Sequence, residues 1–175
     1  DDLPQPEAYT PQAETEAERI TIEDPLARVP ALLISSIIPP RNHPDSPALA
    51  LLASILAGGD SSRLAVALED TGLATQASAS ASSNRGPGQF NVILVPNPGV
   101  DTTDVEAVFI SELERIQAEG VEQAELEKAI NQIRTGQVLG LQDVMGLAES
   151  VQAAHFYYGD ASRVFDLVDQ YTTIT

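Results

Sequence analysis

The chain of 175 residues carries 26 acidic and nine basic side chains, a formal net charge of −17, and it contains no cysteine. A surface this negative repels phosphate backbones and anionic lipid headgroups, so we expect neither nucleic acid nor an anionic membrane surface as a partner. The lack of cysteine excludes disulfides and thiolate chemistry, and no run approaches the roughly 18 apolar residues of a membrane span.

The first 17 residues differ in composition from the rest of the chain. They hold three prolines and show no apolar periodicity, so we predict an extended, acidic and proline-rich linker over residues 1–17. Hydrophobic residues make up 43% of the chain, which is enough to bury one core. We therefore predict a single folded domain over residues 18–175.

Strand patterns occur in two places in the first half of the chain. Residues 18–23 (ERITIE) alternate apolar and polar side chains, and residues 29–38 (VPALLISSII) form a longer run rich in β-branched residues. Together these two segments predict an antiparallel strand pair. Residues 73–82 and 89–95 predict a second pair, because turn-forming residues rich in glycine separate them.

Two helical segments lie between those strand pairs. Pro47 favours the first turn of a helix over residues 48–57, which Gly58 and Gly59 end. A second, shorter helix is predicted over residues 62–70, and Asp60 or Ser61 can cap it.

The second half of the chain is predicted to be mostly helical. Apolar side chains recur at three-and-four spacing from Asp101 to Gly120 and again from Glu122 onward. A last helix, capped by Ser162, is predicted to run through Tyr171. Three glycines should kink or divide the long stretch, namely Gly136, Gly140 and Gly146. This order of elements predicts an α+β two-layer sandwich, a mainly antiparallel sheet covered on one face by helices.

No pattern in the chain forms a self-contained active site. A zinc hydrolase needs two imidazoles one helical turn apart, but His43 and His155 are the only histidines and neither has such a partner. Gly59-Asp60-Ser61 is similar to the opening of some serine esterases, yet no base is placed beside Ser61, and a helix cap explains the residues adequately. We therefore predict no catalytic residue and no metal ligand, and we expect the chain alone to be inactive.

Two longer blocks are more informative than any single residue. Residues 51–68 read LLASILAGGDSSRLAVAL and lead to Gly72-Leu73-Ala74, and residues 120–160 open with GVEQAELEKAINQ. In this order, both blocks resemble the C-terminal domain of the pitrilysin and insulinase-type zinc metallopeptidases, the H-x-x-E-H class. The resemblance covers residues 20–175.

The resemblance implies a division of labour between two similar α+β halves, which lie in one chain or in two subunits and enclose a peptide-holding chamber. In that family the N-terminal half carries H-x-x-E-H and zinc, and the C-terminal half serves as the other wall. This chain resembles the second half. We therefore expect no cofactor in it, zinc in the other half, and two partners, namely that catalytic half or subunit and a peptide substrate; a dimer is compatible with this arrangement.

The resemblance also points to five candidate residues for substrate contact. Three lie in the glycine loop and two at the junction with the next strand, namely Ser61, Ser62, Arg63, Glu69 and Thr75. Glu69 and Thr75 are the positions nearest to an arginine and a tyrosine that contact substrate in many family members, so that pair is missing here. The alternative for Ser62 and Arg63 is a helix cap and a surface ion pair.

Two functions from different classes follow. The first is the substrate-enclosing, non-catalytic half of a peptide-hydrolysing zinc metallopeptidase. The alternative, motivated by the missing arginine and tyrosine, is a domain of a catalytically inactive relative that binds peptides or serves in assembly. Family domains usually continue into one more helix and strand, so we expect a truncated domain, and the bacterial relatives favour a periplasmic or cell-envelope location.

Overall fold

A three-stranded antiparallel sheet forms the first layer of the fold, which a computed structural model describes for residues 16–174. The strands occur in the spatial order β1–β3–β2, and their bounds are Leu32–Ile38 for β1, Ala74–Ser82 for β2 and Gly88–Pro96 for β3. β3 is the central strand, since Leu94 lies opposite Leu32 on one side and Ala77 on the other. The strand predictions for residues 29–38, 73–82 and 89–95 are confirmed within a few residues at each end.

The predicted strand over residues 18–23 is wrong. This segment is irregular, and Ile20 and Ile22 are 70% and 84% exposed. β1 pairs with β3 because that register sets its apolar side chains beside a longer apolar run on the central strand. Ile20 and Ile22 offer too little apolar surface to compete with β1 for pairing in the sheet. Most of the predicted linker, residues 1–15, lies outside the described residues.

Helices form the second layer, and most of their bounds agree with the predicted segments. α1 begins at Ser46, has Pro47 in its first turn and is followed by Gly58. The remaining helices are α2 (Thr102–Glu119), α3 (Gln123–Gly140), α4 (Val144–Tyr158) and the single turn α5 (Asp169–Thr172). None of the helices in residues 16–174 is long and apolar enough to cross a membrane.

The main core lies between the sheet and the helices. Val92 and Leu94 on one face of β3 are fully buried, and they pack against Leu56 of α1 and against Val105 and Phe109 of α2. A smaller apolar cluster joins α1 to α3, and its buried members are Leu51, Ile55, Leu126 and Ala129. The α+β two-layer arrangement with helices on one face of the sheet is therefore confirmed.

Two predicted helices differ in form from the expectation. Residues 62–70 contain a π-helical turn, Ala65–Glu69, and no side chain caps it, so the expected cap by Asp60 or Ser61 is wrong. The segment after α4 is a 3₁₀ turn, Ala161–Phe165, which Asp160 caps in place of Ser162. Both segments are thus single irregular helical turns, and neither is a regular α-helix.

The long helical stretch is divided at only one of its three glycines. α3 runs through Gly136 and ends at Gly140, and α4 begins after Asp143, whose carboxylate accepts hydrogen bonds from the amides of Met145 and Gly146 at 2.9 Å. The chain therefore reverses between α3 and α4 because a capping carboxylate starts a new helix there.

Candidate functional site

The glycine loop that follows α1 is held by one face of α3. Gln132 Nε2 donates to the Gly58 carbonyl at 2.8 Å, and Lys128 Nζ donates to Ser61 Oγ at 2.6 Å. Glu125, one turn earlier on α3, bonds Arg63. Side chains three and four residues apart share a helix face, so these three groups clamp the loop from a single side.

Arg63 and Glu125 form the strongest polar contact of this loop. Arg63 Nε and Nη2 donate to the two carboxylate oxygens of Glu125 at 2.9 and 2.7 Å, a bidentate arrangement. The Arg63 side chain is only 7% exposed, whereas that of Glu125 is 31% exposed. The hydrogen bond raises the pKa of Arg63 and lowers the pKa of Glu125, because each charge stabilises the other.

Three buried polar groups lie at this loop and on the neighbouring helix α2. Ser62, Arg63 and Glu112 are each at least nine-tenths buried, and Ser62 Oγ and Arg63 Nη1 have no hydrogen-bond partner among the described residues. Glu112 Oε2 lies 3.0 Å from Arg115 Nη2, so Glu112 has a counter-charge on its own helix. The negative charge of Glu112 also helps to raise the pKa of Arg63. Ser62 thus forms no helix cap, whereas the ion pair considered for Arg63 is present, with its arginine buried and its glutamate partly exposed.

The other two candidate residues lie at the start of β2. Glu69 ends the π-helical turn, and its Oε1 accepts a hydrogen bond from the Ala77 amide at 2.7 Å. Thr75 is exposed, and its hydroxyl donates to the Val95 carbonyl across the sheet at 3.1 Å. Glu69 and Thr75 therefore both bond to the sheet at or beside β2, whereas Ser61 and Arg63 bond to α3.

The second face of the sheet has no helix against it among the described residues. We call it the outer face, and it carries the side chains that alternate with the buried ones, among them Leu33, Ile37 and Ile93, which are 62%, 61% and 41% exposed. No residue of β1, β2 or β3 is charged, although 20% of the chain is. An uncharged, partly apolar sheet face left open in so acidic a protein is typical of a binding surface.

The described residues do not fit a catalytic zinc ion. His43 Nδ1 accepts from the Asp45 amide at 3.2 Å and lies 3.6 Å from the Asp45 carboxylate, in the turn before α1. His155 is exposed in the last turn of α4. No group of three or more histidine, cysteine, aspartate or glutamate side chains in residues 16–174 could hold a metal ion.

Sequence reasoning missed two features of the site. The clamp by Glu125, Lys128 and Gln132 follows from i, i+3 and i+7 spacing on α3, a signal that is visible only once the loop is known to contact that helix. The outer face follows from alternate positions of three strands, which the sequence could show only with the strand order. The prediction of substrate contact for the five candidate residues stays a prediction.

Comparison with known proteins identifies the family. The profile of the Peptidase M16 inactive domain matches residues 1–133, about three quarters of the chain. No curated protein sequence matches the chain. A profile match over more than half of a chain establishes membership in a family, and this family is one of non-catalytic domains.

Solved structures show the same fold. A protease from Helicobacter pylori superposes with a TM-score of 0.79 at 22% identity, over 88% of this chain and 37% of that one. A proposed zinc protease from Bordetella pertussis Tohama I gives 0.75 at 26% identity, over 87% and 83%. The inactive peptidase domain of a proposed zinc protease from Bordetella parapertussis gives 0.70 at 24%, over 85% and 82%. The chain thus spans little more than a third of the Helicobacter protease.

Proposed function

The chain belongs to the family of Peptidase M16 inactive domains, and from that premise we propose that it is the substrate-enclosing, non-catalytic half of a zinc metallopeptidase that hydrolyses peptides. In this proposal the zinc ion and the H-x-x-E-H motif lie in the preceding half or in a partner subunit. The two halves together hold an extended peptide, and this half contributes enclosure and orientation.

The outer face of the sheet is the observation that carries the proposal. A wall that holds many different peptides should offer apolar contacts without fixed charges, because an unpaired charge would be desolvated when the chamber closes. The outer face meets that requirement, since Leu33, Ile37 and Ile93 are exposed on it and its strands carry no charge. We therefore propose that this face lines the chamber.

Three of the five candidate residues suit direct contact with peptide. Ser61, Glu69 and Thr75 are exposed, and a peptide could reach their side chains without any rearrangement. Ser62 and Arg63 would have to leave buried positions, so we propose that they act by fixing the shape of the glycine loop.

A charge placed on the outer face tests the proposal in the complete enzyme, that is, this chain together with its catalytic half. Ile93→Asp and, separately, Leu33→Asp should lower kcat/KM for a peptide substrate about tenfold, equivalent to ~1.4 kcal/mol. Ile110→Asp is the matched control, because Ile110 is 45% exposed on α2, away from the sheet. Circular dichroism and melting temperature establish that each variant is folded. Unchanged kinetics in both folded outer-face variants would remove this face from the chamber.

The alternative is that the parent is a catalytically inactive relative that binds peptides or serves in assembly. The absence of the arginine and tyrosine at Glu69 and Thr75 favours it. Sequencing the coding region upstream of Asp1 discriminates between the two functions. An H-x-x-E-H motif there supports the metallopeptidase, whereas a similar half with its histidines replaced supports the inactive relative.

A further inference from the structure

Glu69 is a fixed negative charge at the edge of the sheet, beside the uncharged outer face. The three strands contain no ionisable residue, and Glu69 reaches the sheet from the π-helical turn through its hydrogen bond to the Ala77 amide at 2.7 Å. Its side chain is exposed, and it forms no ion pair with the described residues. A charge that borders the wall and has no counter-ion can attract an opposite charge from a ligand.

The hydrogen bond places the Glu69 carboxylate on the free edge of the sheet. β2 is an edge strand, and successive residues of an antiparallel strand direct their amides alternately toward and away from the partner strand. The Ala77 amide is bonded to Glu69, so it points away from β3. Glu69 Oε1 thus occupies the place that a carbonyl of a neighbouring strand would take, and Oε2 has no hydrogen-bond partner among the described residues.

No basic side chain among the described residues lies within ion-pair distance of Glu69. The basic residues nearest to it in sequence are Arg63 and Arg85, which are engaged by Glu125 and by the ring of Phe156, the latter at 5.4 Å. The chain as a whole carries a charge of −17, which adds to the local preference for cations and opposes the approach of acidic peptides.

We propose that Glu69 is the specificity-determining residue of this wall and selects peptides that carry a lysine or arginine side chain beside the β2 edge. The inference rests on the proposed function, because it takes the wall to face the peptide. The ammonium or guanidinium group binds the Glu69 carboxylate, while the rest of the peptide lies along the uncharged face.

The test is a titration of the 175-residue chain with three peptides that differ at one position, followed by amide chemical shifts in two-dimensional NMR. The position holds lysine, its uncharged isostere norleucine or glutamate. The lysine peptide should bind about two- to fivefold more tightly than the norleucine peptide, as expected for an exposed ion pair, and the glutamate peptide more weakly than either. The Ala77 amide should be among those that shift.

Two variants assign the effect to Glu69. Glu69→Gln keeps an acceptor for the Ala77 amide but removes the charge, and it should bind the lysine and norleucine peptides equally. Asp70→Asn removes a charge from the next residue, which is also exposed, and should keep the preference for lysine.

The outcomes separate this inference from the proposed function. Equal binding of the three peptides to the wild-type chain, with shifts on the outer face, would overturn the inference and leave the proposed function standing. A lysine preference that survives Glu69→Gln would overturn it as well. If none of the peptides shifts an amide of β1, β2 or β3, the proposed function and the inference both fail.

Discussion

Arg63 is the residue on which the conformation of the glycine loop depends most. Its guanidinium is almost fully buried, and Glu125 supplies the only full counter-charge bonded to it among the described residues. A buried cation that loses its partner keeps its desolvation penalty. Removing one partner therefore lowers stability by more than the intact pair adds to it. The conformation of the loop is therefore stabilised by Glu125, a residue 62 positions away from Arg63 in sequence.

Glu125→Gln should destabilise the fold by about 2 kcal/mol. This is less than the 3–5 kcal/mol typical of a fully buried pair, because the Glu125 side chain is 31% exposed and the pair is therefore only partly desolvated. Urea unfolding gives the free energy of unfolding. Glu127→Gln, an exposed substitution two residues along the same helix, should change it by less than about 0.5 kcal/mol. Equal effects of the two variants would mean that the pair adds nothing.

The same pair predicts how stability depends on pH. The hydrogen bond from Arg63 lowers the pKa of Glu125 in the folded state, so the unfolded chain binds a proton at this site at higher pH than the folded chain does. The stabilisation is thus fully present above the ordinary pKa of a glutamate, near 4.5, and is lost as the pH falls through the lowered value.

Melting temperatures measured between pH 3 and pH 7 check this expectation. The wild-type chain should lose stability more steeply below about pH 4.5 than Glu125→Gln does. Asp101 and Asp160 also have lowered pKa values, because they accept hydrogen bonds from the first residues of α2 and of the 3₁₀ turn. They contribute in the same window in both proteins, so only the difference between the two curves reports on Glu125. Parallel curves would contradict the expectation.

Among the elements, the reversal between α3 and α4 depends on close contact of two backbones. A Cβ added at Gly146 would lie 2.0 Å from the Gly140 carbonyl oxygen, whereas one added at Gly136 would meet no heavy atom within 4 Å. Both glycines lie in helices, so their intrinsic helix propensities are the same. The two positions differ only in their tertiary surroundings.

Alanine at these two glycines should therefore have opposite effects. Gly136→Ala should stabilise the fold by roughly 1 kcal/mol through higher helix propensity. Gly146→Ala should destabilise it by about 1–3 kcal/mol, because the α3–α4 turn must open to admit the methyl group. Urea unfolding of both variants measures the difference. Stabilisation by both substitutions would mean that the turn adjusts without strain.

The elements also show where sequence patterns suffice. α1, α2 and α3 carry apolar stripes of three to five turns. The predicted bounds of α1 and α2 and the predicted start of α3 agree with the structure to within a few residues. Residues 18–23 carry only two apolar side chains in alternation, and that pattern was overruled by the competing pairing of β1 with β3. Short patterns predict poorly because the free energy that two alternating side chains contribute to a strand is smaller than that of the tertiary contacts that compete with it.

For the whole molecule, net charge is the dominant long-range effect. A charge of −17 with a single lysine gives strong mutual repulsion among carboxylates, which opposes the compact state. Added salt screens this repulsion, since the Debye length falls from about 10 Å at 0.1 M to about 3 Å at 1 M. The composition thus suits a protein that works in concentrated salt.

We expect the melting temperature at pH 7 to rise between 0.1 M and 1 M sodium chloride. The rise should be smaller near pH 4, where the net charge approaches zero because the isoelectric point is about 4.1. Scanning calorimetry at the two pH values provides the comparison. A melting temperature that is independent of salt at pH 7 would exclude repulsion as a significant cost.

The amino-acid sequence by itself determined the fold class, the family resemblance and the lack of a histidine pair, because these depend on local periodicity and on residue types along the chain. Only the tertiary structure decided that β3 is central, that Arg63 is buried against Glu125 and that Glu69 bonds the edge of β2. Each of these features depends on how whole helices and strands pack together. A local sequence pattern shows that an element has an apolar face, but it does not show which other face it packs against. The open, uncharged face of the sheet is a consequence of that packing.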